Sequence, residues 1–135
     1  MQIIFENEFV TTSFDKNTKI AQNIWQEKSQ DLTEEQFKNI FSHIQAAIFS
    51  CSATRLIIDV RLFKFVIEPE LQEWTSKYVM ENYVNNGITR IASILPASIF
   101  ERVSLQQTFA GDYITKGIQQ RQFDNEEQAK EWLLA

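Results

Sequence analysis

The chain has few cysteines, glycines and prolines, and each shortage excludes a class of site. Cys51 is the only cysteine among 135 residues, which excludes an internal disulfide and a metal site built from several cysteines. A lone cysteine also suits a reducing compartment. Three glycines and two prolines predict regular elements joined by short connections, and the glycines form no phosphate-binding motif.

Basic residues are also scarce, because 13 lysines and arginines face 18 acidic residues and leave a formal net charge of −5. Binding DNA or RNA needs a concentrated Lys/Arg surface that displaces counterions. No such stripe is visible, so we expect no nucleic-acid partner. No apolar run approaches the roughly 20 residues that span a bilayer, and the first residues lack the pattern of a signal peptide. We therefore expect a cytoplasmic protein without a membrane span.

Strand-like and helix-like patterns alternate along the chain and predict a single domain over residues 1–135. Residues 9–14 and 20–26 are β-prone runs joined by a turn-rich tetrapeptide. They predict an antiparallel hairpin that residues 3–5 could extend.

A helix, a buried strand and a second helix are predicted next. Thr33 and Gln36 form a capping-box pattern at the start of the first helix. Its apolar face comprises Phe37, Ile40, Phe41, Ile44 and Ile48. Residues 55–60 predict a strand covered on both faces, and Pro69 suits the first position of the following helix. The predicted buried stripe of that helix comprises Leu71, Trp74, Thr75 and Tyr78.

Beyond Gly87, which ends the second helix, a strand and a less regular segment are predicted. Residues 88–95 predict the strand, and Pro96 ends it because proline cannot donate to a sheet ladder. Two successive capping-box patterns predict one irregular helix or two short ones. These patterns are Ser98 with Glu101 and Ser104 with Gln107, and the loop after them is bounded by Gly111 and Gly117.

The last predicted elements are a strand over Gln119–Phe123 and a helix capped by Asp124 with Glu127. This helix is predicted to bury Ala129, Trp132 and Leu133. The element order is then ββαβαβαβα, which predicts an α/β fold with a mixed sheet of about five strands. Strands separated by helical crossovers run parallel, so the sheet should begin with the antiparallel hairpin and continue with parallel strands.

Three segments of the chain resemble a known family. They read LIIDVRLFKFVIEPELQEW, GITRIASILPASIFERVSLQQTF and RQFDNEEQAKEWL. With the element order above, they are similar to small bacterial proteins called SpoIIAA-like or STAS/CRAL-TRIO-like, and more broadly to the STAS domain of anti-sigma-factor antagonists and sulfate-transporter tails. The resemblance covers nearly the whole chain. It implies a STAS-like fold and hardly any function, because most members have no assigned activity.

One departure from this resemblance bears on mechanism. In anti-sigma-factor antagonists, the loop after the third strand and the start of the next helix carry a Ser or Thr whose phosphorylation switches partner binding. Residues 61–71 match that window and contain no hydroxyl residue, and the nearest ones downstream are Thr75 and Ser76. The sequence therefore argues against a phosphorylation switch of that type.

The candidate binding residues lie where the strand over residues 55–60 ends, which is where open α/β sheets bind ligands. Asp59 and Arg61 could hold a ligand, but side chains two apart share a strand face, so the favoured interpretation is that they bond each other or the following loop. Phe63, Phe65, Val66 and Ile67 follow in an apolar loop. They either mark a partner surface or pocket mouth, or fold back over the sheet end, which is slightly favoured.

No catalytic constellation emerges from the sequence. His43 and Cys51 are the single histidine and cysteine, and no acidic residue is placed to orient the imidazole. The carboxylates show no metal-ligand spacing. We therefore expect no enzyme activity, no metal and no cofactor.

Three functions stay open from the sequence. The favoured one is a STAS-like regulatory module that uses the apolar loop and the next helix against a protein partner or a second copy of itself. A carrier of a small apolar or lipid-like ligand is the alternative, and it needs a cavity on the order of several hundred Å³ between sheet and helix. An enzyme of unknown type ranks last.

Overall fold

One sheet organises the fold in a computed structural model that describes residues 1–97 and 117–135. Within these residues six strands lie side by side in sequence order. They are β1 (Gln2–Glu6), β2 (Val10–Asp15), β3 (Ile20–Trp25), β4 (Arg55–Asp59), β5 (Arg90–Ile94) and β6 (Gln119–Phe123). The first three pair antiparallel, and β3 to β6 pair parallel. The predicted fold class is confirmed, and residues 3–5 belong to a strand of their own, β1.

Two local signals in the sequence form as predicted. The Gln36 N–H donates to the Thr33 hydroxyl at 3.1 Å, and the Thr33 N–H donates to the Gln36 side-chain oxygen at 2.9 Å. This capping box starts α1 (Glu34–Ser50), whose predicted apolar face is fully buried. In the β2–β3 turn the Asp15 carboxylate accepts a hydrogen bond from the Asn17 N–H at 3.0 Å. Both signals act within a few residues of chain.

The helical segment after β4 contains a π turn. It begins at Pro69 as predicted, with α2 (Pro69–Trp74) continuing through a π-helical turn (Thr75–Met80) into α3 (Glu81–Asn85). The Gln45 side-chain amide of α1 donates to the Val79 carbonyl in that turn at 2.9 Å. A π turn inserts one extra residue into a helix, so the buried face is displaced beyond it.

This displacement corrects the predicted buried stripe. Leu71 and Thr75 are buried as predicted and Trp74 is half-buried, but Tyr78 is 46% exposed. The prediction for Tyr78 is wrong because it assumes regular α-helical spacing through the π turn. The buried positions after Thr75 belong to Val79 and Met80 in the π turn and to Tyr83 in α3.

The final helix, α4 (Glu126–Leu134), begins one residue later than predicted. Its N-cap is Asn125, whose side-chain oxygen accepts the Gln128 N–H at 2.9 Å. Asp124 is therefore not the cap, since the side chain that reaches the free amide is the one directly before the helix. Ala129 and Leu133 are buried as predicted, and Trp132 is half-buried. The predicted segment over residues 98–107 and most of the loop from Gly111 to Gly117 lie outside the described residues.

The strands bury apolar side chains on both faces of the sheet, because alternate residues point to opposite sides. The face under α1 and the α2–α3 segment includes Trp25, Leu56, Ile58, Val60 and Ile91. The face under α4 includes Ile20, Ile57, Ala92 and Ile94, with Ala129 and Leu133 from the helix. Residues at the end of β4 therefore turn toward one or the other helical layer according to their parity.

Candidate functional site

The parallel strands bring their carboxyl ends to one edge of the sheet. There β4 ends at Asp59, β5 at Ile94 and β6 at Phe123. The Val60 N–H still donates to the Ile94 carbonyl at 3.0 Å, after which the chain leaves the sheet and enters the loop that leads to α2. Ligands of open α/β sheets bind at this kind of edge.

Asp59 and Arg61 form a closed pair at the end of β4. The guanidinium donates to the two carboxylate oxygens at 3.0 and 2.7 Å, and the Arg61 N–H donates to the first of them at 3.1 Å. The Asp59 side chain is only 7% exposed and that of Arg61 is 43% exposed. The hydrogen bonds that the guanidinium donates to Asp59 raise the pKa of Arg61, although partial burial opposes the rise. The two side chains therefore bond each other, as the favoured interpretation of the sequence has it.

The pair faces the α4 side of the sheet. Asp59 shares a strand face with Ile57, which packs in the cluster under α4. Arg61 lines a cleft of about 450 Å³ together with Leu95, Pro96, Ala97 and Asp124. Negative charge from Glu126, in the first turn of α4, also acts on the guanidinium. This corner combines one partly exposed cation with acidic neighbours.

The apolar residues of the loop pack on the opposite side, against α1. Phe63 and Ile67 are buried, and Phe65 is half-buried. The Phe63 ring meets Trp25 edge-on with centroids 5.2 Å apart, and the Phe65 ring stacks on Phe37, also at 5.2 Å. Of the two interpretations of this loop, folding back over the sheet end is the arrangement these side chains adopt. The five predicted site residues are therefore divided between the two faces.

Polar contacts hold the same loop in place. The Lys64 N–H donates to the buried Ser29 hydroxyl at 2.8 Å, and the Gln72 side-chain amide of α2 donates to the Ile67 carbonyl at 3.0 Å. These bonds fix the loop backbone from both ends. The loop is thus an ordered part of the edge.

The outer surface of the loop is formed by Val66, which the sequence grouped with the other apolar loop residues, and by Leu62, which it did not single out. Leu62 is 47% exposed and Val66 is 72% exposed. Each directly precedes one of the buried anchors, Phe63 and Ile67. The run LFKFVI contains apolar residues at all positions but one, so its sequence cannot tell inward from outward side chains.

A groove lies beside this surface, between the first turns of α1 and α2. It measures about 400 Å³ and is lined by Glu34, Glu68, Pro69, Glu70 and Leu71. Glu34 lies 3.8 Å from the Lys38 ammonium, both side chains being well exposed. The sequence interpretation of Glu68 and Glu70, as residues that favour a helix start, explains their position but not the groove they share with Glu34.

Asn23 of β3 is buried next to two other polar side chains, those of Thr12 and Tyr83. The Thr12 hydroxyl donates to the Asn23 side-chain oxygen at 2.9 Å. Tyr83 is fully buried near Asn23, and burial raises the pKa of its phenol while the Asn23 side chain opposes part of the rise. A raised phenol pKa keeps Tyr83 neutral, so it offers no charge to a ligand.

The structure does not assemble the nucleophile pair considered from the sequence. His43 is exposed and stacks on Phe5 with ring centroids 5.6 Å apart, whereas Cys51 caps the far end of α1. Eight residues of helix separate them by about 12 Å along the axis. Among the described residues, no group of three or more His, Cys, Asp or Glu side chains is placed to hold a metal ion, and no helix has the length and apolarity needed to cross a membrane.

Comparison with protein-family models matches residues 24–134 to the SpoIIAA-like family. No curated protein and no solved structure matches the chain. The matched residues include β4, the loop after it and the α4 helix, which are also the parts that carry the resemblance in the sequence. On that match and on its STAS-like mixed sheet, the chain belongs to the SpoIIAA-like family.

Proposed function

We propose that this protein is a cytoplasmic regulatory module that binds a protein partner through the outer surface of the β4–α2 loop. That surface consists of Leu62, Val66 and the adjoining start of α2. Family membership supports a STAS-type regulatory domain in general. The choice of this particular surface goes further than family membership. It is supported by the exposure of Leu62 and Val66 on an anchored loop.

The anchoring matters because it prepares the surface for binding. Leu62 and Val66 are each followed directly in the chain by a buried residue, Phe63 and Ile67 respectively. Hydrogen bonds donated by Lys64 and Gln72 hold the backbone of the loop. A loop already in its bound shape loses little conformational entropy when a partner arrives. Exposed apolar side chains on such a loop are what a partner would cover.

Regulation in this module does not use a hydroxyl of the loop. Residues 61–71 contain no Ser, Thr or Tyr. One hydroxyl that contacts the loop belongs to Ser29, which is fully buried and already accepts the Lys64 N–H. A kinase could not reach that oxygen without local unfolding. The proposal is therefore a binding module whose occupancy follows partner concentration.

The alternatives from the sequence stay predictions. A carrier of a small apolar ligand requires space between sheet and helix, and near the loop that space holds the packed rings of Trp25, Phe37, Phe41 and Phe63. No described feature favours an enzyme over a binding module. Self-association through the loop is an outcome that the following experiment separates from binding of another protein.

The test is capture of partners from a bacterial extract by immobilised wild-type protein and by Val66→Asp, followed by affinity measurement on the identified partner. The aspartate removes the apolar contact at this position and places a carboxylate against the apolar side chain that would cover Val66, so it should weaken binding by at least tenfold. Leu62→Asp should act in the same direction. Light scattering of each protein reports whether the partner is a second copy.

The matched control is Leu134→Asp, which places the same charge on a residue of similar exposure, 53%, at the end of α4. It should bind like the wild type. Equal binding by all four proteins, or the absence of any partner whose capture depends on the loop, would overturn the proposal.

A further inference from the structure

We propose that the partner docks through a basic segment, with its lysine or arginine side chains over the groove between α1 and α2 and an apolar side chain on the groove floor. The proposal rests on the function proposed above, because it names the chemistry of the partner that the loop surface would bind. Nothing in the family match assigns a ligand to this groove.

The groove adjoins the exposed loop residue that carries the proposed function. The glutamates that line the groove, Glu34, Glu68 and Glu70, form its acidic rim. One residue separates Val66 from Glu68 of this rim. Pro69 and Leu71 supply the apolar part of the lining. Its volume of about 400 Å³ lies in the range of roughly 300–1,000 Å³ that accommodates buried ligand groups. A single segment of partner chain could therefore cover Val66 and enter the groove.

The charge of the groove selects the kind of segment. Glu34, Glu68 and Glu70 place three carboxylates around it, and Lys38 offsets one of them. Glu68 and Glu70 are exposed and form no ion pair with a described residue. The two helix N-termini that meet there contribute about half a positive charge each. An excess of about one negative charge remains, and the exposed Glu35 in the first turn of α1 adds to it.

The same charge disfavours other occupants. A second copy of this chain would bring its own net charge of −5 toward an acidic rim, and an anionic membrane surface or a nucleic acid would be repelled for the same reason. When a partner places positive charge opposite these carboxylates, association is faster and the orientation of the partner is fixed. The apolar lining of the groove and Val66 supply contact area from which water is excluded. A basic segment with an apolar anchor fits both halves of the surface.

The experiment uses calorimetric titration of the intact protein with a synthetic peptide of lysine, arginine and leucine residues. Two further peptides serve as probes, one with glutamate in place of the basic residues and one with serine in place of leucine. The basic apolar peptide should bind best, and its affinity should fall with added salt. The Glu68→Gln/Glu70→Gln variant should bind it about tenfold more weakly, which corresponds to two charge contacts on a partly exposed surface.

A control variant, Glu8→Gln/Glu127→Gln, changes net charge by the same amount at exposed positions that do not line the groove. It should bind like the wild type. If both double variants bound the basic peptide equally weakly, the attraction would come from the overall negative charge of the protein. That result would overturn the proposal that the groove is the binding site. Equal binding of the glutamate peptide, or a dimer by light scattering that Val66→Asp dissolves, would also overturn it.

The two proposals fail separately. If a native partner depends on Val66 but carries no basic segment and ignores the Glu68→Gln/Glu70→Gln change, the loop function stands and the groove proposal falls. If the basic peptide binds the groove while no partner depends on Val66 or Leu62, the proposed function falls and the groove remains a binding site for basic peptides.

Discussion

The two sides of the sheet edge hold the chain after β4 in different ways. On the α1 side, the loop is anchored by Phe63 and Ile67, and the neighbouring side chains Leu62 and Val66 point outward. On the α4 side, the edge is held by the Asp59–Arg61 pair, in which the carboxylate already accepts three hydrogen bonds. The α1 side thus exposes apolar side chains that a partner could cover. On the α4 side, the carboxylate and the guanidinium already form hydrogen bonds with each other.

This difference explains why the apolar side is the better binding candidate. Displacing the Asp59–Arg61 bonds for a ligand would expose a buried carboxylate to a less favourable partner. Covering Leu62 and Val66 costs no internal bond. The contrast would be broken if the two sides responded alike to substitution, and the following changes test it from the largest expected effect to the smallest.

Phe63→Ala should have the largest effect on stability. The Phe63 ring contacts Trp25, Phe37 and Phe65 at centroid distances of 5.2 to 6.4 Å, so its removal leaves a cavity and should lower the free energy of unfolding by about 3–5 kcal/mol. Urea denaturation measures this. Phe63→Leu is the control and should cost less than half as much. A loss under about 1 kcal/mol for the alanine variant would mean that the ring does not anchor the loop.

In the charged pair, the two single substitutions should be unequal. Arg61→Met leaves the buried Asp59 carboxylate with only a backbone N–H and should cost about 2–3 kcal/mol. Asp59→Asn leaves a guanidinium that water can reach and should cost about 1 kcal/mol. Urea denaturation of both, with the double variant, gives the coupling energy. Equal costs would contradict the burial difference between the two side chains.

Lys77→Met probes an ion pair that is exposed on both sides. Its ammonium lies 2.9 Å from the Glu73 carboxylate, which lowers the Glu73 pKa below its ordinary value of 4.5. Because the Glu73 pKa is lower in the folded than in the unfolded chain, the ion pair stabilises the fold at pH values above the unfolded-state pKa. This contribution disappears as the pH falls through the folded-state pKa. The variant should be slightly less stable at neutral pH, more so at low salt, and equal to the wild type in acid. A difference that grows in acid would contradict this sign.

Val66→Asp should have the smallest effect on stability, within about 0.5 kcal/mol of the wild type, because the side chain is 72% exposed. Thermal unfolding of the purified variant measures it. This result, beside the large loss in Phe63→Ala, would show that adjacent loop positions have separate roles. A large loss in Val66→Asp would mean that the residue is buried in solution, for example in a dimer.

Much of the fold was predictable from local sequence patterns. The Thr33–Gln36 capping box, the turn at Asp15 and the helix start at Pro69 each depend on atoms a few residues apart. The wrong prediction for Tyr78 lies in the π turn, where the Val79 carbonyl accepts a hydrogen bond from Gln45 of α1, a residue far away in the chain. The misplaced cap at Asp124 shows that two adjacent capping residues cannot be ranked by type alone.

The candidate site was predictable only in its position along the chain. The end of a buried strand locates Asp59, Arg61 and the loop at the binding edge. Which loop residues face outward was not predictable, because hydrophobicity in LFKFVI has no clear period that separates two sides. The groove was hidden as well, since Glu34 and Glu70 are far apart in the chain and meet only through the packing of α1 beside α2.

The sequence by itself determined the order of the strands and main helices among the described residues, the parallel sheet edge and the absence of a hydroxyl in residues 61–71, because these follow from periodicity, caps and composition. Tertiary structure alone decided that Phe63 and Ile67 are anchors, that Leu62 and Val66 are surface, and that three glutamates share a groove. The physical reason is that burial and proximity depend on what the neighbouring helices cover, and a short apolar or acidic run contains no record of its neighbours.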